Sequence, residues 1–231
     1  MKTRNLYVNK DFNVVYWDAV LLDAVMQQQN LRFLLNTNID SISTKSNRIL
    51  NISGTQQGSE IHYCIKGNYY IDATGDGTIG AMAGVPYEIG DKKYCGNDDS
   101  LRLMSSSILY YSVDTGKPVN FIAPEFAYDI PYIDNLVNHG GRIINEKMTG
   151  CDCWWCEFGG LKNTINDSQD IFIELQKLLY GIWNYVKNSG KYPNAENYTL
   201  SWAGVVPGKR ESRRFYCDYM LTKPRLFTAM P

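Results

Sequence analysis

A β-type run that ends in closely spaced glycines is the feature that most constrains the fold of this chain. Residues 69–75 read YYIDATG, which predicts a buried strand ending in glycine. Gly77 follows, and the small residues at 78–83 predict a short helix that begins directly after the turn. A strand, a glycine turn and a helix in this order are typical of α/β proteins.

The turn between this strand and this helix is a candidate ligand site. Backbone N–H groups at a helix N-terminus can bind an anion or the polar edge of a sugar. Gly75 and Gly77 would let a ligand approach the backbone closely, and Asp76 could accept hydrogen bonds from ribose or ribityl hydroxyls. The alternative is an ordinary strand-to-helix turn in which Asp76 or Thr78 caps the helix.

The rest of the chain predicts a mixture of strands and helices. Short β-type runs lie at residues 12–16, 31–35, 39–44, 48–53, 60–66 and 103–113. Polar turns separate the runs between residues 39 and 66, so we expect a meander of hairpins there. Asp18 could cap a helix that ends near residue 29, and residues 170–188 carry the clearest helical stripe.

Composition and charge limit the classes of partner. Of the 231 residues 44% are hydrophobic, which is enough for a buried core. The 23 basic and 24 acidic residues nearly balance, so we expect neither nucleic acid nor an anionic membrane as a partner. No apolar run approaches the roughly 20 residues that span a bilayer. We expect a soluble, cytoplasmic protein.

Three cysteines are crowded together at Cys151, Cys153 and Cys156. A structural zinc site uses four ligands, commonly as two regularly spaced pairs, and a ferredoxin-type run has a further cysteine at fixed spacing. Neither pattern is complete here, so we expect reduced thiols and no metal site. A redox, zinc or iron–sulfur role for the three cysteines is the alternative.

Two blocks of sequence carry a resemblance to a known family. Residues 71–84, IDATGDGTIGAMAG, resemble the second flavin-binding motif of FAD-dependent oxidoreductases built on the glutathione-reductase plan. Residues 202–214, WAGVVPGKRESRR, resemble a bacterial branch of these enzymes that is distantly related to the flavin subunit of heterodisulfide reductase. The resemblance covers nearly the whole chain.

The resemblance implies a fold, two domains and a reaction. It implies an α/β chain of mixed α+β character, in which residues 1–90 form an incomplete FAD-binding, Rossmann-like domain with a β-meander. Residues 91–231 would then form a substrate or cap domain. It also implies FAD as the cofactor and hydride transfer between the flavin and a small organic substrate. It assigns no catalytic residue and no electron partner.

The same resemblance names candidate site residues. Those implied to border the cofactor are Ile39, Ala73, Thr74, Gly75, Asp76 and Gly77. Those implied to face the substrate or the flavin are Arg210, Glu211, Arg213 and Arg214. Arginine forks suit carboxylates and phosphates, so these arginines could bind an acidic substrate or neutralise a reduced flavin. The alternative is a solvated helix start with internal ion pairs.

Enzymes on this plan open with a strand, turn and helix that carry G-x-G-x-x-G and hold the pyrophosphate. We expect that segment to be missing here, and the chain to be an internal fragment of a longer enzyme. By itself it is then expected to bind FAD weakly or not at all, and to be inactive. A non-catalytic binding module that retains the fold without flavin is a further alternative.

Overall fold

The computed structural model describes residues 14–90, 102–140, 143–144, 146 and 156–219. Their helices are α1 (Val14–Met26), α2 (Thr78–Met82), α3 (Ile130–Gly140) and α4 (Ser168–Asn188), with a 3-10 turn at Pro193–Ala195. Their strands are β1 (Thr37–Lys45), β2 (Arg48–Gln56), β3 (His62–Ile65), β4 (Tyr87–Ile89), β5 (Ser106–Ser107), β6 (Tyr110–Asp114), β7 (Glu157–Phe158), β8 (Tyr198–Ala203) and β9 (Arg213–Phe215). The chain forms two compact units, Met1–Tyr70 and Ile71–Pro231.

The first unit contains α1 and the antiparallel meander β1-β2-β3. Lys45 pairs with Arg48, so a two-residue loop joins β1 to β2. Ser46 and Asn47 in that loop both have positive φ, 50° and 61°. Positive φ at both central residues is the mark of a type I′ turn, whose twist matches that of the flanking strands. The meander predicted from the sequence is therefore confirmed.

The core of the second unit is built on α4. Residues of α4 that are buried recur at helical spacing: Ile171, Leu175, Leu178, Leu179, Gly181, Ile182, Trp183, Tyr185 and Val186. Ile108 and Ile133 pack into the same cluster, and the ring of Tyr110 meets the edge of the Trp183 ring at 6.1 Å. This wide apolar stripe confirms the helix predicted at residues 170–188, which begins two residues earlier at Ser168.

Short antiparallel pairs complete the second unit: β4 with β9, β5 with β7, and β6 with β8. Every strand pairing among the described residues is antiparallel. The chain is thus a mixed helix and strand protein, as expected. A Rossmann-like parallel arrangement, and a functional division at residue 90, stay predictions.

Several predicted strands are absent from the described residues. Val14 to Tyr16 belong to α1, so Asp18 lies inside that helix and does not cap it, while residues 12–13 lie outside the described range. Residues 31–35 and 69–75 are irregular and mostly exposed, with Tyr69 at 93% and Ile71 at 94% exposure. An apolar β-type run becomes a strand only where another strand pairs with it. Among the described residues no strand pairs with residues 31–35 or 69–75. The run at 103–113 is split into β5 and β6.

None of the helices in the described ranges has both the length and the apolar character needed to cross a membrane.

Candidate functional site

Asp72 organises the turn that leads into α2. Its Oδ1 accepts hydrogen bonds from the Thr74 amide at 3.1 Å and from the Thr74 hydroxyl at 2.7 Å. Its Oδ2 accepts from the Gly80 amide at 2.8 Å, and the Thr74 hydroxyl oxygen accepts from the Thr78 amide at 2.8 Å. The chain's own side chains therefore occupy the first amides of α2. These amides have internal partners, so a ligand anion would have to displace Asp72 and Thr74, and docking at this helix start stays a prediction.

The same hydrogen bonds set the ionisation of the Asp72 carboxyl. Partial burial raises its pKa, but the amide of Gly80 and then the hydroxyl and amide of Thr74 stabilise the carboxylate. The bonds outweigh the burial, so the pKa of Asp72 lies below its ordinary value. Asp72 is therefore a charged cap of α2 at neutral pH.

The glycines after Asp72 meet two different needs. Gly75, Gly77 and Gly80 have the spacing G-x-G-x-x-G, so the expectation that this spacing is missing from the chain is wrong. A Cβ on Gly77 would lie 2.3 Å from the Phe215 ring, and one on Gly80 would lie 2.6 Å from it. Gly75 instead has nothing within 4 Å of a Cβ. Two glycines thus allow α2 to pack on β9, and Gly75 leaves an open surface. The glycine spacing therefore gives no support to the expectation that the chain binds FAD weakly or not at all.

The basic segment at residues 207–214 lies against this turn. Lys209 Nζ forms an ion pair with the Asp76 carboxylate. The Ser212 hydroxyl donates to the Gly75 carbonyl oxygen at 3.4 Å, and Arg213 Nη1 donates to the Asp76 carbonyl oxygen at 3.1 Å. The structure therefore brings together the two blocks of sequence that carry the family resemblance.

A cleft of about 560 Å³ lies between the two segments. It is lined by Thr74, Gly75, Asp76, Pro207, Lys209, Arg210, Glu211, Ser212, Arg213 and Arg214. Four of these side chains are cationic and two are anionic, and Glu157 and Glu88 pair with Arg210 and Arg214 from outside the lining. The volume is within the range of small-molecule sites, and the arginine forks of the lining suit a ligand with anionic oxygens.

Ion pairs hold most of the cations of the cleft in place. Arg210 pairs with Glu157, and Arg214 Nη2 lies 3.2 Å from an oxygen of Glu88. Glu211 Oε2 accepts a hydrogen bond from the Met104 amide at 2.7 Å, which orients this carboxylate. These side chains are partly exposed, so each pair contributes only about 0.2–1 kcal/mol to stability. Their main effect is to position charge around the cleft.

Arg213 differs from the other arginines. Its guanidinium lies 5.1 Å from the centre of the Tyr87 ring, in cation–π geometry. Its Nε is buried and has no hydrogen-bond partner among the described residues. A buried donor without a partner is costly, so this nitrogen is a candidate to donate to a bound anion.

The remaining predicted site residues have other positions. Ala73 is exposed beside Asp72 and does not line the cleft, and Gly77 faces Phe215. Ile39 lies in β1 of the first compact unit, opposite Gly54, and its role at the cofactor stays a prediction.

Sequence reasoning missed three contributors to the site: Lys209, Ser212 and Phe215. Lys209 and Ser212 lie inside the block that resembles the family, so the motif itself is a signal for them. No sequence signal connects Phe215 to the glycines, because their contact depends on the tertiary fold.

The cysteine cluster contributes little to the described structure. Cys151 and Cys153 lie outside the described residues, and Cys156 is buried in the core of the second unit. Within the described ranges no three His, Cys, Asp or Glu side chains are grouped as metal ligands. The absence of a fourth ligand for the cluster therefore stays a prediction.

The fold and the cleft together define a mixed helix and strand protein with a cleft between a glycine turn and a basic segment. Comparison with protein families gives a match to the model for FAD dependent oxidoreductase over residues 2–230. The chain therefore belongs to the FAD dependent oxidoreductase family, and FAD is the cofactor that the family implies. No curated protein and no solved structure matched the chain.

Proposed function

We propose that the cleft between residues 74–76 and 207–214 binds FAD, and that the protein transfers a hydride between this flavin and a small organic substrate. The single observation that carries the proposal is the contact between the two blocks. Arg213 and Ser212 donate hydrogen bonds to the backbone of the glycine turn, and an open basic cleft remains beside them. The proposal does not depend on a strand at residues 69–75.

The residues of the cleft fit such a dinucleotide. FAD carries two phosphate groups, and the lining has three arginines and one lysine that can donate to phosphate oxygens. Gly75 has no side chain and nothing within 4 Å of its Cβ position, so a ligand can reach its backbone. The buried Arg213 Nε is a free donor for an anionic oxygen. The α2 amides are not part of this fit, because Asp72 and Thr74 occupy them.

Lys209, Ser212 and Arg213 would each have a definite role in binding. Bound FAD would supply the group that accepts or returns a hydride. Lys209 and Arg213 would neutralise negative charge on the cofactor, and the ion pair with Asp76 keeps the Lys209 ammonium at the cleft. The Ser212 hydroxyl and the Arg213 guanidinium would fix the turn in the conformation that leaves Gly75 open. These residues bind and orient, and we assign no proton transfer to them.

Titration of the full chain with FAD tests the proposal, with flavin fluorescence as the readout. We expect saturable quenching. Arg213→Met and Lys209→Met should each weaken binding by roughly 10-fold or more, because a hydrogen bond to a charged group contributes about 1.5–3 kcal/mol. The matched control is Arg48→Met, an exposed arginine of β2 in the first unit, which should leave the affinity unchanged.

Circular dichroism and thermal unfolding of each variant establish that it is folded. If folded Lys209→Met and Arg213→Met bind FAD as tightly as the unchanged chain, the cleft is not the cofactor site. If the unchanged chain shows no saturable quenching, the proposed function itself is overturned.

A further inference from the structure

Arg213 is the cation of the cleft whose charge is least offset by neighbouring carboxylates. Each of the other three cations of the lining has an anionic partner: Lys209 pairs with Asp76, Arg210 with Glu157, and Arg214 with Glu88 and Glu211. Among the residues that the structure describes, Arg213 makes no such ion pair, and its Nη1 donates to the neutral carbonyl oxygen of Asp76 at 3.1 Å. The positive charge of Arg213 is therefore the one most available to an anionic ligand in the cleft.

Tyr87 supplies a second contact to the same guanidinium. The central carbon of the guanidinium lies 5.1 Å from the centre of the Tyr87 ring. The strand register explains this contact, because Tyr87 pairs with Phe215 and Arg213 lies two residues before Phe215 on β9. Residues two apart share one face of a strand, and diagonal neighbours across an antiparallel pair are within reach of long and aromatic side chains. The pairing of β4 with β9 thus brings the ring to the guanidinium.

An aromatic ring holds an arginine differently from a carboxylate. A carboxylate fixes the guanidinium but offsets its charge, whereas the ring attracts a cation through its quadrupole and carries no net charge. The Tyr87 ring and the Asp76 carbonyl oxygen together fix the Arg213 guanidinium without neutralising it. Tyr87 is not among the residues that line the cleft, so any effect of Tyr87 on a ligand there passes through a neighbouring residue.

Phe215 is the other neighbour through which Tyr87 could act. The two rings meet edge to face, with centroids 5.9 Å apart and an interplanar angle of 89°. Phe215 in turn packs on the start of α2, where a Cβ on Gly77 or Gly80 would collide with its ring. Removal of the Tyr87 ring therefore changes two contacts, one to Arg213 and one to Phe215. An experiment has to separate the two.

We infer that Tyr87 is a positioning residue of the FAD site, whose ring holds the Arg213 guanidinium in place and leaves its charge for a phosphate oxygen. The inference rests on the proposed function, because it takes FAD as the ligand of the cleft. A guanidinium that is already fixed loses less side-chain freedom when the ligand binds, and this raises the affinity. Tyr87 itself touches neither the cofactor nor the substrate.

A double-mutant cycle of Tyr87→Ile and Arg213→Met, with FAD affinity measured by flavin fluorescence, tests this inference. Isoleucine suits a strand but offers no ring, so Tyr87→Ile should weaken FAD binding roughly 3–10-fold through loss of the cation–π contact. In the Arg213→Met background the same substitution should cause no further loss, because the group that Tyr87 positions is gone. Tyr87→Phe keeps the ring and should bind FAD as tightly as the unchanged chain.

The matched control is Tyr111→Ile in the same compact unit. Tyr111 forms an edge-to-face pair with Trp202 at 5.5 Å but does not line the cleft, so its removal should leave FAD affinity unchanged. Circular dichroism and thermal unfolding establish that each variant is folded. Tyr87→Met takes the place of Tyr87→Ile in the cycle if the isoleucine variant does not fold.

Three outcomes would count against the inference or its basis. If Tyr87→Ile weakens FAD binding by the same factor with and without Arg213, Tyr87 acts through its packing on Phe215 and the inference is overturned. If Tyr87→Phe loses as much affinity as Tyr87→Ile, the ring is not the group that matters, and the inference fails as well. If the unchanged chain does not bind FAD, or if Arg213→Met binds it normally, the proposed function or its cleft is wrong. The failures are therefore distinguishable.

Discussion

Arg213 Nη1 donates a hydrogen bond to the backbone carbonyl oxygen of Asp76 at 3.1 Å, across a separation of 137 residues. The bond joins β9 to the glycine turn, and the pairing of β9 with β4 extends this connection to the strand that follows α2. The turn and the basic segment therefore form one structural element. A change on either side should affect the stability of this element and, under the proposed function, the binding of FAD.

The first prediction concerns the contact between α2 and Phe215. Gly77→Ala should lower the free energy of unfolding of the second unit by about 2–5 kcal/mol, since it adds strain at positive φ to overpacking against the Phe215 ring. Gly75→Ala in the same turn is the matched control. Gly75 also has positive φ, but a Cβ there would meet open space. Gly75→Ala should therefore lower the free energy of unfolding only by the backbone strain of about 1–2 kcal/mol. Urea unfolding measures the free energy of unfolding of both variants. Equal losses of this free energy would show that packing on Phe215 is unimportant.

The second prediction concerns the charged cap of α2. Asp72→Asn should destabilise the chain at neutral pH by roughly 0.5–1 kcal/mol, the lower part of the range for caps, because the residue is largely exposed. The pKa of Asp72 is lowered in the folded state, so its contribution is complete above the ordinary carboxyl pKa and is lost as the pH falls through the folded-state pKa. Thermal unfolding from pH 7 downward should show the difference from Asp72→Asn disappearing in acid. A difference that is independent of pH would contradict the assigned charge.

The third prediction concerns the core of the second unit. Leu175→Ala should lower the free energy of unfolding by about 2–5 kcal/mol, because Leu175 is fully buried on the inner face of α4. Ile173→Ala on the same helix is the control. Ile173 is 43% exposed, so its truncation should have a clearly smaller effect. Urea unfolding would contradict the described packing if the two losses were similar.

Elements with a strong local signal were predictable from the sequence. The stripe of α4 repeats over 21 residues, and the turn at Ser46 and Asn47 fixes the first hairpin through the backbone geometry of two residues. The β-type runs at 31–35 and 69–75 gave equally clear local patterns but no strands. Their outcome depends on a pairing partner, which local composition does not specify.

The site was predictable to a similar extent. The resemblance identified both sides of the cleft, including Thr74, Asp76 and Arg213. The sequence could not show that Asp72 occupies the amides of α2, because the bond to Gly80 depends on the detailed course of the turn. Nor could it show that the Arg213 guanidinium lies over the Tyr87 ring, since that contact depends on the pairing of β4 with β9.

Hydrogen–deuterium exchange of the full chain, with and without saturating FAD, is the most direct test of where the cofactor binds. The account predicts slower exchange in two segments, residues 72–80 and residues 207–216, with no change in α3 as the internal control. Slower exchange in β1 would in addition support the predicted role of Ile39. FAD binding that saturates without protecting either of the two segments would contradict the assignment of the cleft.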